Sequence, residues 1–255
     1  MEDRMFSCHG GYVSEGDYDW SPLFIEELEK NRRGRTGRAR LKLALPNGTL
    51  EIETWRFLAS AGIHISRGER RLHILVNHRL VKEVLFARPQ HIPELVSKGI
   101  CHVGICGRDW VLEKALEGNL VEEILELPCG KEERSGKTRV VLFCQKGNKE
   151  MVEDIDEVVS EYPHLTENFF RKQGRPVTVR FSHGTTETLV PTICKWGVCL
   201  TETGQTLRNN GLVIVEVIAK SSTILIASLE KDRQERREIE ELKELLERAC
   251  KYWRV

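Results

Sequence analysis

The sequence predicts an α/β protein whose sheets are rich in parallel strands. Two observations carry this. Short apolar runs alternate along the chain with segments whose apolar residues recur at helical spacing. Glycines close most of the helical segments, as expected where a helix hands the chain to the next strand. Leu41–Leu45 reads as a strand, turned by Pro46-Asn47-Gly48. The stretch 49–61 reads as a helix through Leu50, Trp55, Leu58 and Ala61, stopped by Gly62. Strands follow at 72–76 and 84–87, then a short helix at 92–98 ended by Gly99. Strands are expected at 102–106 and 138–144. A helix at 164–172 is ended by Gly174 and followed by a strand at 177–181. Apolar spacing predicts a helix over 189–196, then a strand at 198–200, and two more strands at 212–218 and 223–227. The last segment, 235–252, is an amphipathic helix, because Ile239, Leu242, Leu245, Leu246 and Ala249 form one stripe on a charged background.

At 255 residues the chain has room for one large domain or two small lobes. Lysine plus arginine equals aspartate plus glutamate at 39 each, so no global field draws it to nucleic acid or membrane. A small phosphorylated ligand would need local donors. The eight cysteines (8, 101, 106, 129, 144, 194, 199, 250) are scattered through apolar runs and form no CxxC pair, which reads as reduced thiols in a cytoplasmic protein rather than a zinc site. No apolar run reaches membrane-spanning length and no signal-peptide core stands at the start. Residues 1–39 read as a partly disordered extension, with a short helix at 21–30 and the basic link NRRGRTGRAR. An arm that packs on a neighbouring subunit or an acidic partner is the other reading.

The most informative stretch is Glu202-Thr203-Gly204-Gln205-Thr206-Leu207, within GVCLTETGQTLRNNGL. An apolar strand enters a Thr/Gly turn and a short helix start. Gly204 lets the backbone approach an anion, and the Thr203 and Thr206 hydroxyls can donate to it. An ordinary strand-to-helix turn with a threonine cap has the same appearance, so this loop alone does not decide the matter.

Five further segments occur with it in order: LKLALPNGTL (41–50), RPQHIP (88–93), GICHVGICGRD (99–109), YPHL followed by FFRKQG (from Tyr162), and Gly184-Thr185-Thr186-Glu187. Together, over about residues 40–229, they resemble the catalytic chain of ATP phosphoribosyltransferase, which opens histidine biosynthesis. The resemblance implies a two-lobed, periplasmic-binding-protein-like (type II) fold with hinge strands. One lobe would be 40–129 with 222–255 returning to it, and the other 130–221. It implies transfer of the phosphoribosyl group of phosphoribosyl pyrophosphate (PRPP) to N1 of ATP. No protein nucleophile is needed. Mg2+ rides on the pyrophosphate, with no metal ligand from protein side chains. PRPP would be bound by Glu202, Thr203, Gly204, Gln205, Thr206 and Leu207, with Gly48 near the pyrophosphate. Arg88, Tyr162, Gly184, Thr185 and Glu187 would line the nucleotide side of the cleft. The chain ends 27 residues after Ser228, as in the short form of the family. That form self-associates and relies on a regulatory subunit related to histidyl-tRNA synthetase.

Several positions depart from the family pattern. Asn47 and Thr49 stand around the first loop, where the family usually has a basic or amide side chain and then an arginine. His91, His102, Lys195 and Cys199 stand where acids are usual. Arg134 or Lys137, in the rearranged segment LPCGKEERSGKTR, could replace lost charge. His91 and His102 read either as a new paired site or as separate, locally hydrogen-bonded histidines. The departures leave open a non-catalytic ligand-binding paralogue and a phosphoribosyltransferase for another base.

Overall fold

A computed structural model describes residues 6–8, 11–13, 41–67, 74–129, 138–148 and 155–253. The helix expected at 21–30, the basic link after it, Arg134 and Lys137 lie outside the described residues. The strands, in chain order, are β1 Phe6–Cys8, β2 Gly11–Val13, β3 Leu41–Pro46, β4 His64–Arg67, β5 Ile74–Asn77, β6 Val81–Ala87, β7 Val103–Gly107, β8 Glu122–Glu126, β9 Arg139–Gln145, β10 Glu157–Ser160, β11 Thr178–Phe181, β12 Trp196–Thr201, β13 Leu212–Lys220 and β14 Thr223–Ala227. The α-helices are α1 Glu51–Ser60, α2 Ile92–Ser97, α3 Arg108–Leu116, α4 Pro163–Lys172, α5 Gln205–Asn209 and α6 Arg233–Tyr252. The helix expected over 189–196 does not form. Residues 186–188 make a 3-10 turn and the chain then turns into β12 at Trp196. Pro191 has no N–H to continue a helical ladder. The apolar spacing there instead reflects Val190 and Cys194 packing under the sheet.

The strands sort into two five-stranded sheets, with two further two-stranded pairs, β1–β2 and β4–β5. The first sheet has the order β6-β3-β7-β14-β8, and the second β11-β10-β12-β9-β13. In the first, β3 runs parallel to β6 and β7, and β14 runs antiparallel to both its neighbours. In the second, β10 runs parallel to β11 and β12, and β9 runs antiparallel to β12 and β13. The two reversed strands, β9 and β14, are the first strands the chain builds after each crossing between sheets. They therefore start at the hinge and run away from it, while β3, β6, β7, β10, β11 and β12 end toward it. At the hinge, Ser221 N–H donates to Thr138 O (2.9 Å), Arg108 N–H to Ser222 O (2.8 Å) and Leu127 N–H to Thr223 O (2.8 Å). The carboxyl ends of two sets of strands thus face one another, which is where open α/β sheets place ligands.

Packing follows from burial. Leu41, Leu43 and Leu45 of β3, Phe57 and Leu58 of α1, and Leu242 and Leu246 of α6 form one core, so the final helix returns to the first sheet. Asp232 caps α6, accepting from Gln234 N–H (2.7 Å) and Glu235 N–H (2.8 Å), and Glu235 answers by accepting from Asp232 N–H (2.9 Å). The second sheet has apolar layers on both faces. Val140, Leu142 and Val198 pack with Tyr162 and Phe170 on one side; Val141, Phe143, Val159 and Cys199 pack with Leu207 on the other.

The two halves meet through α3. Trp110 and Leu112 leave the first sheet's core and pack on that of the second. Trp110 lies against Tyr162 with ring centroids 4.6 Å apart. Glu113, 1% exposed, caps the start of α4 by accepting from His164 N–H (2.9 Å) and Leu165 N–H (2.8 Å). Asp109, 2% exposed, accepts from Tyr162 Oη (2.7 Å) with one oxygen and from the Ser221 hydroxyl with the other. Gly107 makes room for it, since a Cβ there would lie 2.2 Å from Asp109 Oδ1. Burial pushes the Asp109 carboxyl up, and the Ser221 and Tyr162 bonds oppose that shift. With a raised folded pKa, Asp109 favours the fold at acid pH, and this contribution is lost as pH rises above the ordinary aspartate value of 3.8. Tyr162→Phe removes a donor to the charged form. We expect it to cost about 1.5–3 kcal/mol at neutral pH, with the cost shrinking as pH falls, measured by denaturant unfolding at several pH values.

Candidate functional site

At the end of the second sheet that faces the hinge, β12 runs into the Thr201–Leu207 loop. The loop is held by its own hydroxyls. Gly204 N–H donates to Thr201 Oγ1 (3.1 Å) and Gln205 N–H to Thr203 Oγ1 (3.2 Å). Gly204 has φ +70°, and a Cβ there would sit 3.1 Å from Ile214 Cδ1. The left-handed φ favours glycine, and a Cβ would in addition crowd the Ile214 side chain. Leu207 is the loop's apolar anchor, buried against the sheet. Thr203, Gln205 and Thr206 are exposed and Glu202 is half-buried. Gln205 also bonds Asn209, Nε2 to Oδ1 at 2.6 Å.

Beside the loop, β10 leads into Glu161 and Tyr162. Glu161 N–H donates to Val198 O on β12 (3.3 Å), and its Oε1 accepts from the Thr186 hydroxyl (3.0 Å). Thr186, fully buried, also bonds Ser182 (3.1 Å). The Gly184–Glu187 turn is thereby tied to the strand end. Thr185 is held there at φ +53°, a strained conformation for a β-branched residue. Burial raises the Glu161 pKa; the Thr186 hydroxyl lowers it, and the Glu187 and Asp109 charges raise it further. Sequence reasoning missed Glu161 because the four-residue strand before it, Glu157–Ser160, is too short for a periodic signal. The acid two residues after the Val158-Val159 pair was the one cue.

Across the hinge, Gly48 and Arg88 share a corner of the first sheet. Pro46 pairs in register with Ala87, and Asn47 N–H donates to Ala87 O (2.9 Å). Gly48 turns the chain at φ +85° and its N–H donates to Glu51 Oε2 (3.2 Å). Arg88 is exposed and extended, and its carbonyl accepts from His91 N–H (2.9 Å). Thr49 is exposed on the same turn.

The predicted residues therefore fall into a loop group (202–207), a turn group (184, 185, 187) and a facing corner (48, 88). Tyr162 stands apart from them. It is 1% exposed and its hydroxyl is committed to Asp109, so it joins the two halves. His91 and His102 are not a pair. His91 follows the carboxyl end of β6, whereas His102 precedes the amino end of β7, and both strands run parallel to β3. His102 is a structural joint: its Nδ1 accepts from Lys42 N–H (2.9 Å) and its Nε2 meets Glu235 Oε1 at 3.2 Å. Lys195 is exposed at the opposite end of β12 from the loop. Cys199 is core, 5% exposed, and burial pushes its thiol far up, with Glu161 and Glu187 adding to the shift.

These features define the class: a two-lobed α/β protein of the type II periplasmic-binding-protein architecture, with a polar cleft at facing strand ends. A family model described as HisG, ATP phosphoribosyltransferase, matches residues 88–248. An ATP phosphoribosyltransferase from Koribacter versatilis is 33% identical over 214 residues, covering 82% of this chain and 73% of that one. One from Geotalea daltonii is 34% identical over 214 residues, covering 82% and 72%. An ATP phosphoribosyl transferase (HisG:HisZ) complex from Thermotoga maritima has a chain similar in fold, with TM-score 0.70 and 23% identity, covering 84% of this chain and all of that one. The chain belongs to the ATP phosphoribosyltransferase family.

Gly204→Ala is expected to cost about 1–2 kcal/mol through the left-handed backbone alone, read as a lower melting temperature. Glu161→Gln should flatten the fall in stability as pH rises above 4.5, the ordinary glutamate value, because a raised folded pKa means stability is lost with rising pH. A parallel pH–stability profile of the two proteins checks this.

Proposed function

We propose that this protein transfers the phosphoribosyl group of PRPP to N1 of ATP with release of pyrophosphate, the first step of histidine biosynthesis. The observation that carries the reading is the Thr201–Leu207 loop, intact within the family-matched segment and seated at strand ends that face a second set of strand ends. In this reading the lobes are 40–129 with 222–255, and 130–221. The loop hydroxyls of Thr203 and Thr206 hold the 5′-phosphate, and Glu202 meets the ribose hydroxyls. Gly48 allows close approach of the pyrophosphate, and Arg88 compensates its charge from the facing corner. Gly184, Thr185 and Glu187 border the nucleotide. Tyr162, fixed by Asp109, keeps the strand end beneath them in place.

The attacking atom is a ring nitrogen of ATP and the leaving group is pyrophosphate, so the chain's contribution is positioning and charge. Mg2+ enters as part of the PRPP chelate and, when bound, offsets charge on the departing pyrophosphate. In this reading its ligands would be pyrophosphate oxygens and water, hard oxygen donors of the kind Mg2+ accepts, with none from protein side chains. Likeness to the Thermotoga maritima complex supports pairing with a HisZ-like regulatory subunit; self-association is part of the same reading. Cytoplasmic location suits the buried thiols and a biosynthetic role. No described helix is long and apolar enough to cross a membrane.

The test is incubation with ATP and Mg2+–PRPP, with chromatographic detection of N1-phosphoribosyl-ATP. Pyrophosphate release without that adduct would sink the reading. Thr206→Ala should weaken PRPP binding about 10- to 100-fold, the loss of a hydrogen bond to a charged group, measured by calorimetry. Unchanged affinity would remove the loop assignment.

A further inference from the structure

Arg139 opens β9, the strand that starts at the hinge. The ladder sets it opposite Thr201, where the Thr201–Leu207 loop begins, and opposite Lys220 on the other side. Side chains alternate along β9. Val141 and Phe143 pack with Leu207 and Cys199, while Val140, Leu142 and Cys144 pack on the far face with Tyr162. Arg139 therefore shares the face that carries the loop. Directly paired residues of an antiparallel ladder point the same way, so Lys220, Arg139 and Thr201 form one row on that face.

The charge in this row is unbalanced. Among the described residues, neither Arg139 nor Lys220 has a carboxylate partner, whereas Arg108 at the same hinge is held by Glu123 (3.0 Å) and Glu126 (3.1 Å). The Arg139 Nε is buried and makes no hydrogen bond. Two like charges side by side, one with a buried donor unsatisfied, cost stability in the ligand-free fold. Such a cost at a cleft is the mark of a group kept for a ligand.

We propose that Arg139, flanked by Lys220, is an anion-binding residue that takes a phosphate group of the ligand held by the Thr201–Leu207 loop. The guanidinium offers forked donors that match phosphate oxygens, and Lys220 adds a point charge at the rim. This rests on the phosphorylated-ligand reading of the cleft and adds to it a guanidinium not tied to another side chain, as Arg208 beside the loop is to Gln205 (2.9 Å).

The test uses the full chain with inorganic pyrophosphate and ribose 5-phosphate as probes, titrated calorimetrically. Arg139→Met should weaken both at least about tenfold and leave the ligand-free melting temperature unchanged or higher, because a half-buried, unpartnered cation beside Lys220 has been removed. Arg139→Lys should recover part of the affinity. Wild-type affinity in Arg139→Met overturns the proposal, as does failure of the wild-type protein to bind either probe. Should Arg139→Met not fold, Lys220→Met at its exposed position carries the test, and unchanged pyrophosphate affinity there overturns the cationic row. The outcomes separate from the catalytic reading. Arginine-dependent pyrophosphate binding without N1-phosphoribosyl-ATP leaves this inference standing and removes the transfer. Transfer with tight PRPP binding in Arg139→Met does the reverse.

Discussion

The Asp109 carboxylate is the joint on which the architecture turns. It stands at the start of α3, on the first sheet, and is shared between Tyr162 of the second and Ser221 of the crossing. A carboxylate with 2% exposure is tolerable only because each oxygen is engaged. That requirement fixes three segments relative to one another. It orients the end of β10, and with it Glu161 and the turn at Thr186. It brings α3 against α4, where Glu113 satisfies the backbone donors of a helix start that a Pro163 entrance leaves without a side-chain cap.

Strand direction then decides what the cleft contains. Strands that end at the hinge contribute turns there: Gly48 after β3, Arg88 after β6, Glu161 after β10 and the threonine loop after β12. Of the two strands that begin at the hinge, β9 contributes its first residue instead, Arg139, whereas Thr223 at the start of β14 is buried. The polar groups of the cleft are thus a consequence of topology. Their charge is divided, with carboxylates at Glu161 and Glu187 on one side of the loop, Glu202 within it, and cations at Arg139 and Lys220 on the other side. A sugar carrying phosphates and hydroxyls has the same division.

The positions that depart from the family pattern separate once packing is known. His102 and Cys199 have become structural. One ties the starts of β3, β7 and α6, and the other fills the apolar layer under Leu207. Lys195 is distant from the loop by the length of β12. Asn47 and Thr49 remain at the corner of the first sheet, where Arg88 is the neighbouring cation. Arg139 supplies positive charge from the opposite side.

The α/β class, the order of most strands, the amphipathic α6 and the threonine–glycine loop were all written in local patterns. Periodicity and turn chemistry act over a few residues, and so are legible without a structure. The family's segments were legible for the same reason. The short strand at Glu157–Ser160, the α3 helix with its buried Asp109 and Glu113, and the failed helix at 189–196 were not. Each is decided by what packs against it. Only the tertiary structure could separate His91 from His102, commit Tyr162 to the joint between halves, and bring Arg139 beside Thr201 from 62 residues away in the chain. Those relations depend on strand direction and register, which long-range pairing sets and a linear sequence does not display.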